Sequence, residues 1–264
     1  MRLLTNTSPF LHTGHFIRKR LIISDGFDSD TFDIFSRKVK IFNPVKGFQI
    51  STLNLCDIVM MTEAGNGIQH RALLLQSDVN FNQLYPFKIQ KLAKTHWTPL
   101  HIAQKAAAFL TACDGARILD IGSGAGKFCL AAACYHPNAT FHGVEQRKTL
   151  INHALKAKEK LALDNVSFIH SNFTELDFST YTGFYFFNSF YENIDDSLPI
   201  DEAITGSEKM YEQYLQELQH KLRAMPTGTK IVTYHAANEA VPWGYYLAHT
   251  EEQGNLNFWI KNLD

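Results

Sequence analysis

Three glycines at alternate positions, Gly122, Gly124 and Gly126, follow the apolar run Ile118-Leu119-Asp120-Ile121 and open onto "KFCLAAA". Glycine tolerates a positive φ and lets a ligand come close to the main chain, so a glycine turn between a strand and a helix is suited to holding a nucleotide-bearing molecule. Two acids frame this turn. Asp120 stands just before it, and Glu145 ends the next strand-like run, about 20 residues beyond the glycines, where a carboxylate accepts both hydroxyls of a ribose. A third group lies in "GFYFFNSFYEN", residues 183–193, where the amide of Asn188 emerges from an aromatic run with Phe190 and Tyr191 beside it. Phe184, Phe186 and Phe187 have the composition of strand core. An amide at the exit of such a strand, flanked by rings, points instead to a pocket wall.

The spacing decides between nucleotide turns. A phosphate-cradling P-loop requires G-x4-G-K-[ST], but Ile121 occupies its first glycine position and Phe128 follows Lys127. A dinucleotide fingerprint requires G-x-G-x-x-G; Gly122 and Gly124 fit, and Lys127 stands where the third glycine would be, which weakens that reading. What the chain carries is an acid followed by G-x-G-x-G.

The elements that must position these groups alternate. Thr98 is placed to cap a helix with Pro99 at its first position, and Ile102, Ala106 and Leu110 continue it at helical spacing. Strands are expected over 117–121, 140–145, 166–170, 183–189 and 229–234. Helices are expected after Gly126, over "RKTLINHALKAKEKLAL", and over 207–225, where Met210, Tyr214, Leu218 and Leu222 recur every four residues. Such alternation implies a parallel sheet with helices on both faces. The chain then ends differently: "GYYLAHT", the turn "EEQGN" and "LNFWIKN" read as an antiparallel hairpin. The fold class expected is therefore α/β, a doubly wound, seven-stranded, mostly parallel sheet ending in an antiparallel hairpin, with a smaller N-terminal extension or domain. Residues 1 to about 90 read as short strand-like segments ("RLIIS", "KVKIF", "FQISTLNL", "ALLLQS") between turns, with a short helix over 28–38. The expected division is 1–92, for substrate recognition or oligomerisation, and 93–264.

At this point the chain resembles the class I S-adenosylmethionine-dependent methyltransferases, whose motif of hydrophobics followed by D/E-x-G-x-G-x-G ends the first strand and whose sheet ends in such a hairpin. The resemblance runs from about residue 95 to the C-terminus. It implies S-adenosylmethionine as cofactor, held by Asp120, Gly122, Ser123, Gly124, Ala125, Gly126, Glu145 and Gln146, with Asn172 and Phe173 at the adenine and Asn188 reaching the cofactor from the fourth strand. It also implies that the loop after that strand faces the transferred methyl. There Asn188-Ser-Phe-Tyr191 is similar to the Asn/Asp-Pro-Pro-Tyr loop of amino-methylating enzymes, without its prolines, and to the Asn–aromatic loop of the non-SET lysine methyltransferases. Asn188, Phe190 and Tyr191 are thereby the expected catalytic residues. The reaction implied is in-line displacement at a sulfonium methyl, releasing S-adenosylhomocysteine, in which a protein contributes mainly alignment and desolvation. Aromatic faces accommodate the sulfonium charge.

Composition bounds the partners. The formal net charge is -1, yet residues 1–95 hold 12 Lys+Arg against 7 Asp+Glu and the remainder 13 against 19. A catalytic part that is acidic and lacks a basic stripe favours a small-molecule or peptide/protein acceptor, methylated on N or O, over nucleic acid. The basic N-terminal part, densest at "FIRKR", keeps an RNA or other nucleic-acid acceptor as the alternative, beside a catalytically silent module that only binds the cofactor. An NAD oxidoreductase and an aminopropyl transferase are disfavoured by the hairpin and by Asn188, respectively. No metal site is expected: His12 and His15 are two residues apart and isolated, and His96 is the one histidine kept as a pocket residue. Four cysteines without a CxxC read as reduced thiols. No run approaches the ~18 apolar residues of a membrane span. A soluble, cytoplasmic protein is expected, with homo-oligomerisation left open.

Overall fold

The computed structural model describes residues 70–187, 207–236 and 238–262. Contacts divide the chain into two units, Met1–Ala72 and Leu73–Asp264. The second unit takes in residues 73–92, which the sequence assigns to the N-terminal region; Phe81, Leu84 and Tyr85 from this stretch are buried in its core. The strands and helix expected within 1–69 lie outside the described residues.

In chain order the unit contains α1 (Asp78–Asn82), α2 (Phe87–Gln90), α3 (Ala93–His96), α4 (Leu100–Leu110), β1 (Arg117–Ile121), α5 (Lys127–Tyr135), β2 (Thr140–Glu145), α6 (Lys148–Leu161), β3 (Val166–His170), β4 (Gly183–Phe187), α7 (Glu208–Arg223), β5 (Lys230–Tyr234), β6 (Tyr245–Glu251) and β7 (Leu256–Lys261). The strands form one sheet in the order β3-β2-β1-β4-β5-β7-β6. Neighbours among the first five are parallel, while β7 runs antiparallel to both β5 and β6. The doubly wound sheet with a terminal hairpin is therefore as the sequence implies. Among the described residues no helix is long and apolar enough to cross a membrane.

Strand alternation distributes the core to the two faces. Ile118, Phe141, Tyr185 and Val232 pack on one side with α4 and α5; Leu119, Val144, Phe184, Phe186 and Ile231 pack on the other with Leu218 and Leu222 of α7. Being covered on both faces, the central strands read as nearly continuous apolar runs. The segment between β3 and β4 holds two 3-10 turns, Phe173–Glu175 and Phe178–Thr180.

Two local expectations change. "ALLLQS" reads as a strand, but residues 70–74 are helical; a short leucine-rich run without β-branched residues does not favour extended structure. Thr98 does not cap α4. Pro99 occupies the cap position without a side-chain bond. The carboxylate of Asp78, 22 residues upstream, accepts instead from the Leu100 N–H at 3.0 Å, and the Thr98 hydroxyl shares a 2.9 Å hydrogen bond with Tyr185.

Gly126 illustrates the tightness of the β1–α5 junction. Its φ is +81°, and a Cβ there would sit 2.5 Å from the Phe168 ring and 3.0 Å from Ala154 Cβ. Both left-handed strain and overpacking oppose a side chain. Gly126→Ala is expected to lower stability by about 1–3 kcal/mol, measured as a reduced midpoint of urea unfolding.

Candidate active site at the carboxyl edge of the sheet

The glycine turn leaves β1 and is pinned at once to β2. The N–H groups of Gly122 and Ser123 both donate to the Val144 carbonyl, at 3.0 and 2.9 Å, and Gly126 N–H donates to the Ser123 carbonyl at 2.8 Å. All three glycines have positive φ: +73°, +54° and +81°. Their backbone conformation, rather than their small size alone, explains the alternate spacing, since left-handed residues other than glycine are strained. Around Gly124 a Cβ would meet no heavy atom within 4 Å, so the middle of the turn is open.

Glu145 closes the turn from the end of β2. One carboxylate oxygen accepts the Gly124 N–H at 3.1 Å and the other accepts the Arg147 N–H at 2.8 Å, with the Arg147 guanidinium 3.8 Å away. Glu145 and Arg147 are both buried. Asp120 is also buried. The Cys129 thiol lies 3.5 Å from its Oδ2. Burial, opposed by the thiol hydrogen bond and reinforced by the nearby Glu145 charge, pushes the Asp120 carboxyl up to about 8. Ser123 is buried as well, and its hydroxyl has no hydrogen-bond partner among the described residues.

A small cleft, partly open to solvent, lies beside this turn. Asp120, Gly122 and Ser123 form its turn side, and Lys127 and Phe128 its α5 side. Tyr185 and Phe187 reach it from β4, and His96, Trp97 and Thr98 from the entry to α4. Phe128 stacks on Tyr185 with centroids 3.8 Å apart and planes at 11°. The Thr98 hydroxyl fixes the other end of that ring. The result is a rigid aromatic wall at the ends of β1 and β4, where open α/β sheets bind ligands.

Residues 113–258 match a family model described as a methyltransferase domain. The chain belongs to this methyltransferase family. It carries a methyltransferase domain of the class I, S-adenosylmethionine-dependent family, whose cofactor is S-adenosylmethionine. Among relatives, a tRNA (guanine-N(7)-)-methyltransferase of Synechococcus sp. (strain JA-3-3Ab) is 46% identical over 54 residues, 20% of this chain and 23% of that protein. A release factor glutamine methyltransferase of Buchnera aphidicola is 36% identical over 70 residues, 26% of this chain and 25% of that protein. The methyltransferase chain thus spans about a quarter of the length of each of these curated relatives. A solved structure of TrmN from Thermus thermophilus is 19% identical, with a TM-score of 0.46, covering 66% of this chain and 52% of that one.

The expected site residues of the methyltransferase fall into three groups. Asp120, Gly122 and Ser123 line the cleft, and Gly124, Ala125, Gly126 and Glu145 complete the turn behind it. Gln146 continues from β2, its carbonyl 3.1 Å from the His170 ring nitrogen. The amide of Asn172 is used locally: Oδ1 accepts the Thr174 N–H at 3.1 Å and Nδ2 donates to the Tyr214 hydroxyl at 2.8 Å. Phe173 is buried edge-on to the Tyr214 ring, 5.6 Å between centroids. Asn188, Phe190 and Tyr191 lie outside the described residues. The structure adds Trp97, Thr98, Phe128 and Tyr185, which the sequence reading did not place at the site. Tyr185 carried a usable signal, since period-two alternation sets it on the face opposite Phe184 and Phe186.

Proposed function

We propose that the enzyme transfers a methyl group from S-adenosylmethionine to a nitrogen or oxygen of a small molecule or a peptide/protein side chain. The observation that carries this reading is the cleft: it is walled by rings, and its lysine, Lys127, is engaged by Asp78. No uncompensated cation on the described wall draws in a phosphate backbone. The acidic balance of residues 96–264 acts in the same direction.

The residues present fit the cofactor. The hydroxyl of Ser123, buried and without a partner among the described residues, borders the cleft; the open Gly124 admits a ligand against the main chain; and the Glu145 carboxylate stands at the turn, on the Gly124 N–H. In this reading Gly122–Gly126 and Glu145 hold the cofactor, with Asp120, Gln146, Asn172 and Phe173 around it. The bound cofactor supplies an electrophilic methyl on a sulfonium. The protein's part is to align the acceptor and exclude water. Trp97, Phe128 and Tyr185 form one wall of the cleft, and Asn188, Phe190 and Tyr191 orient the acceptor. Residues 1–72 serve acceptor recognition or self-association.

A second reading, methylation of RNA, is favoured by the tRNA-modifying relative and by the basic balance of residues 1–95. One experiment separates the two. The purified enzyme is incubated with methyl-tritiated S-adenosylmethionine and with fractionated cell extract. Label in protease-sensitive or small filterable material supports the first reading, and label in ribonuclease-sensitive material overturns it. In the same assay Asn188→Ala is expected to remove at least about 90% of the label, the scale of a lost orienting hydrogen bond, while S-adenosylhomocysteine affinity is unchanged. Normal labelling by Asn188→Ala would reject its catalytic role.

A further inference from the structure

The cofactor turn is held from outside the sheet by residues that precede the first strand. Asp78, at the first position of α1, makes an ion pair with the ammonium of Lys127, the first residue of α5 and the next residue after Gly126. The same carboxylate oxygen of Asp78 accepts the Leu100 N–H that begins α4. Seven residues on from Asp78, the Tyr85 hydroxyl donates to the Ala125 carbonyl at 3.0 Å, and both groups are buried. Burial pushes the Tyr85 phenol well above the ordinary tyrosine range, which keeps it a donor. Trp97 joins the two contacts: its ring is 4.6 Å from that of Tyr85, and the Lys127 ammonium lies 5.7 Å from its centroid.

Lys127 is a buried cation on the cleft wall. Its side chain is only 4% exposed, against 44% for Asp78. An ammonium so buried must keep a partner or lose its proton; burial does draw its proton affinity down, opposed by Asp78. The one carboxyl on the described cleft wall is Asp120. Without Asp78, the lysine would discharge or turn towards that acid, across the space beside Gly122 and Ser123. In either case the start of α5, and with it Gly124–Gly126, loses its anchor.

We propose that residues 78–97 form a strap belonging to the cofactor site, in which Asp78, acting through Lys127, and Tyr85, acting on the Ala125 carbonyl, are positioning residues that hold the glycine turn in its binding shape. The inference rests on the cofactor site lying at this turn. It makes Asp78 a determinant of cofactor affinity although it lies 42 residues before Asp120 in sequence.

The test is calorimetric titration of the full chain with S-adenosylhomocysteine, with a thermal melt of every variant. Asp78→Asn is expected to weaken binding about tenfold, the scale of one lost charge-assisted hydrogen bond. Asp78→Glu is expected to restore most of that affinity. Lys127→Met and the double variant Asp78→Asn/Lys127→Met should match Asp78→Asn, since one pair is being broken in each. A purely structural role would move the melt without this pattern. Wild-type affinity in a folded Asp78→Asn overturns the inference. Should Asp78→Asn prove unfolded, Tyr85→Phe decides: affinity lowered at least about threefold supports the strap and unchanged affinity rejects it. If the wild type itself does not bind S-adenosylhomocysteine, it is the placement of the cofactor that fails, and the strap with it.

Discussion

Gly124→Arg is expected to abolish measurable binding of S-adenosylhomocysteine while leaving a folded protein. The backbone at this position has a φ of +54°, which costs a side chain roughly 1–2 kcal/mol; a melting point lowered by roughly 2–8 °C follows for a unit of this size. No heavy atom stands within 4 Å of a Cβ there, so the substitution meets no steric obstacle in the ligand-free chain. Its effect falls on the ligand. The new side chain occupies the open middle of the turn, and its guanidinium lies within reach of Glu145, the carboxylate that now accepts the Gly124 N–H. An affinity loss of at least about a hundredfold is expected from blocking the turn and engaging that acid together. Gly228→Arg is the matched control. Gly228 also has a positive φ, +82°, and open surroundings, but it precedes β5 at the opposite edge of the sheet. It should show a similar melting shift and no change in affinity. Equal affinity in wild type and Gly124→Arg would remove the cofactor from this turn.

The parts of this architecture that could be read in advance are those whose signal is local. β1, the turn and α5 are adjacent in sequence, and an apolar run, three alternate glycines and an alanine-rich segment specify them without distant help. The hairpin of β6 and β7 is local in the same sense, because its turn joins neighbours. Contacts made across the chain were not legible. Thr98 followed by Pro99 has the form of a helix cap, yet the carboxylate that does the capping comes from Asp78, and nothing in the spacing of residues 98–100 indicates it. Lys127 illustrates the same limit. In sequence it is a residue that breaks a dinucleotide fingerprint; in the fold it is buried because Asp78 and Trp97 come over it. The domain boundary shifts for the same reason, since Phe81, Leu84 and Tyr85 have too little periodicity to announce that they belong to the sheet's core. Asn172, the amide placed by resemblance at the adenine, bonds Thr174 and Tyr214, and the second of these partners, 42 residues on, is equally invisible in the local sequence.

Asp120 leads to an expectation about pH. Burial raises its carboxyl from 3.8 to about 8, with the Cys129 thiol bond opposing and the Glu145 charge adding. The folded chain therefore binds a proton at neutral pH that the unfolded chain has released. The sign follows: this group's stabilisation is fully present below the unfolded value near 4, declines as pH rises, and is lost above about 8. Asparagine has the shape of the protonated acid but cannot ionise. Asp120→Asn and wild type should thus differ least near pH 4 and below, where the side chain is neutral in the folded and the unfolded chain alike. They should separate progressively through pH 7, and at pH 9 the variant should melt higher by roughly 5–10 °C, the scale of a few kcal/mol of relieved burial of charge. The wild-type curve should flatten above pH 8 and the difference with it. Melting curves that run parallel from pH 5 to 9 would mean that Asp120 carries its charge in the folded chain at neutral pH. The cleft wall beside Gly122 would then be anionic rather than neutral, and Lys127 would have a second acid competing with Asp78.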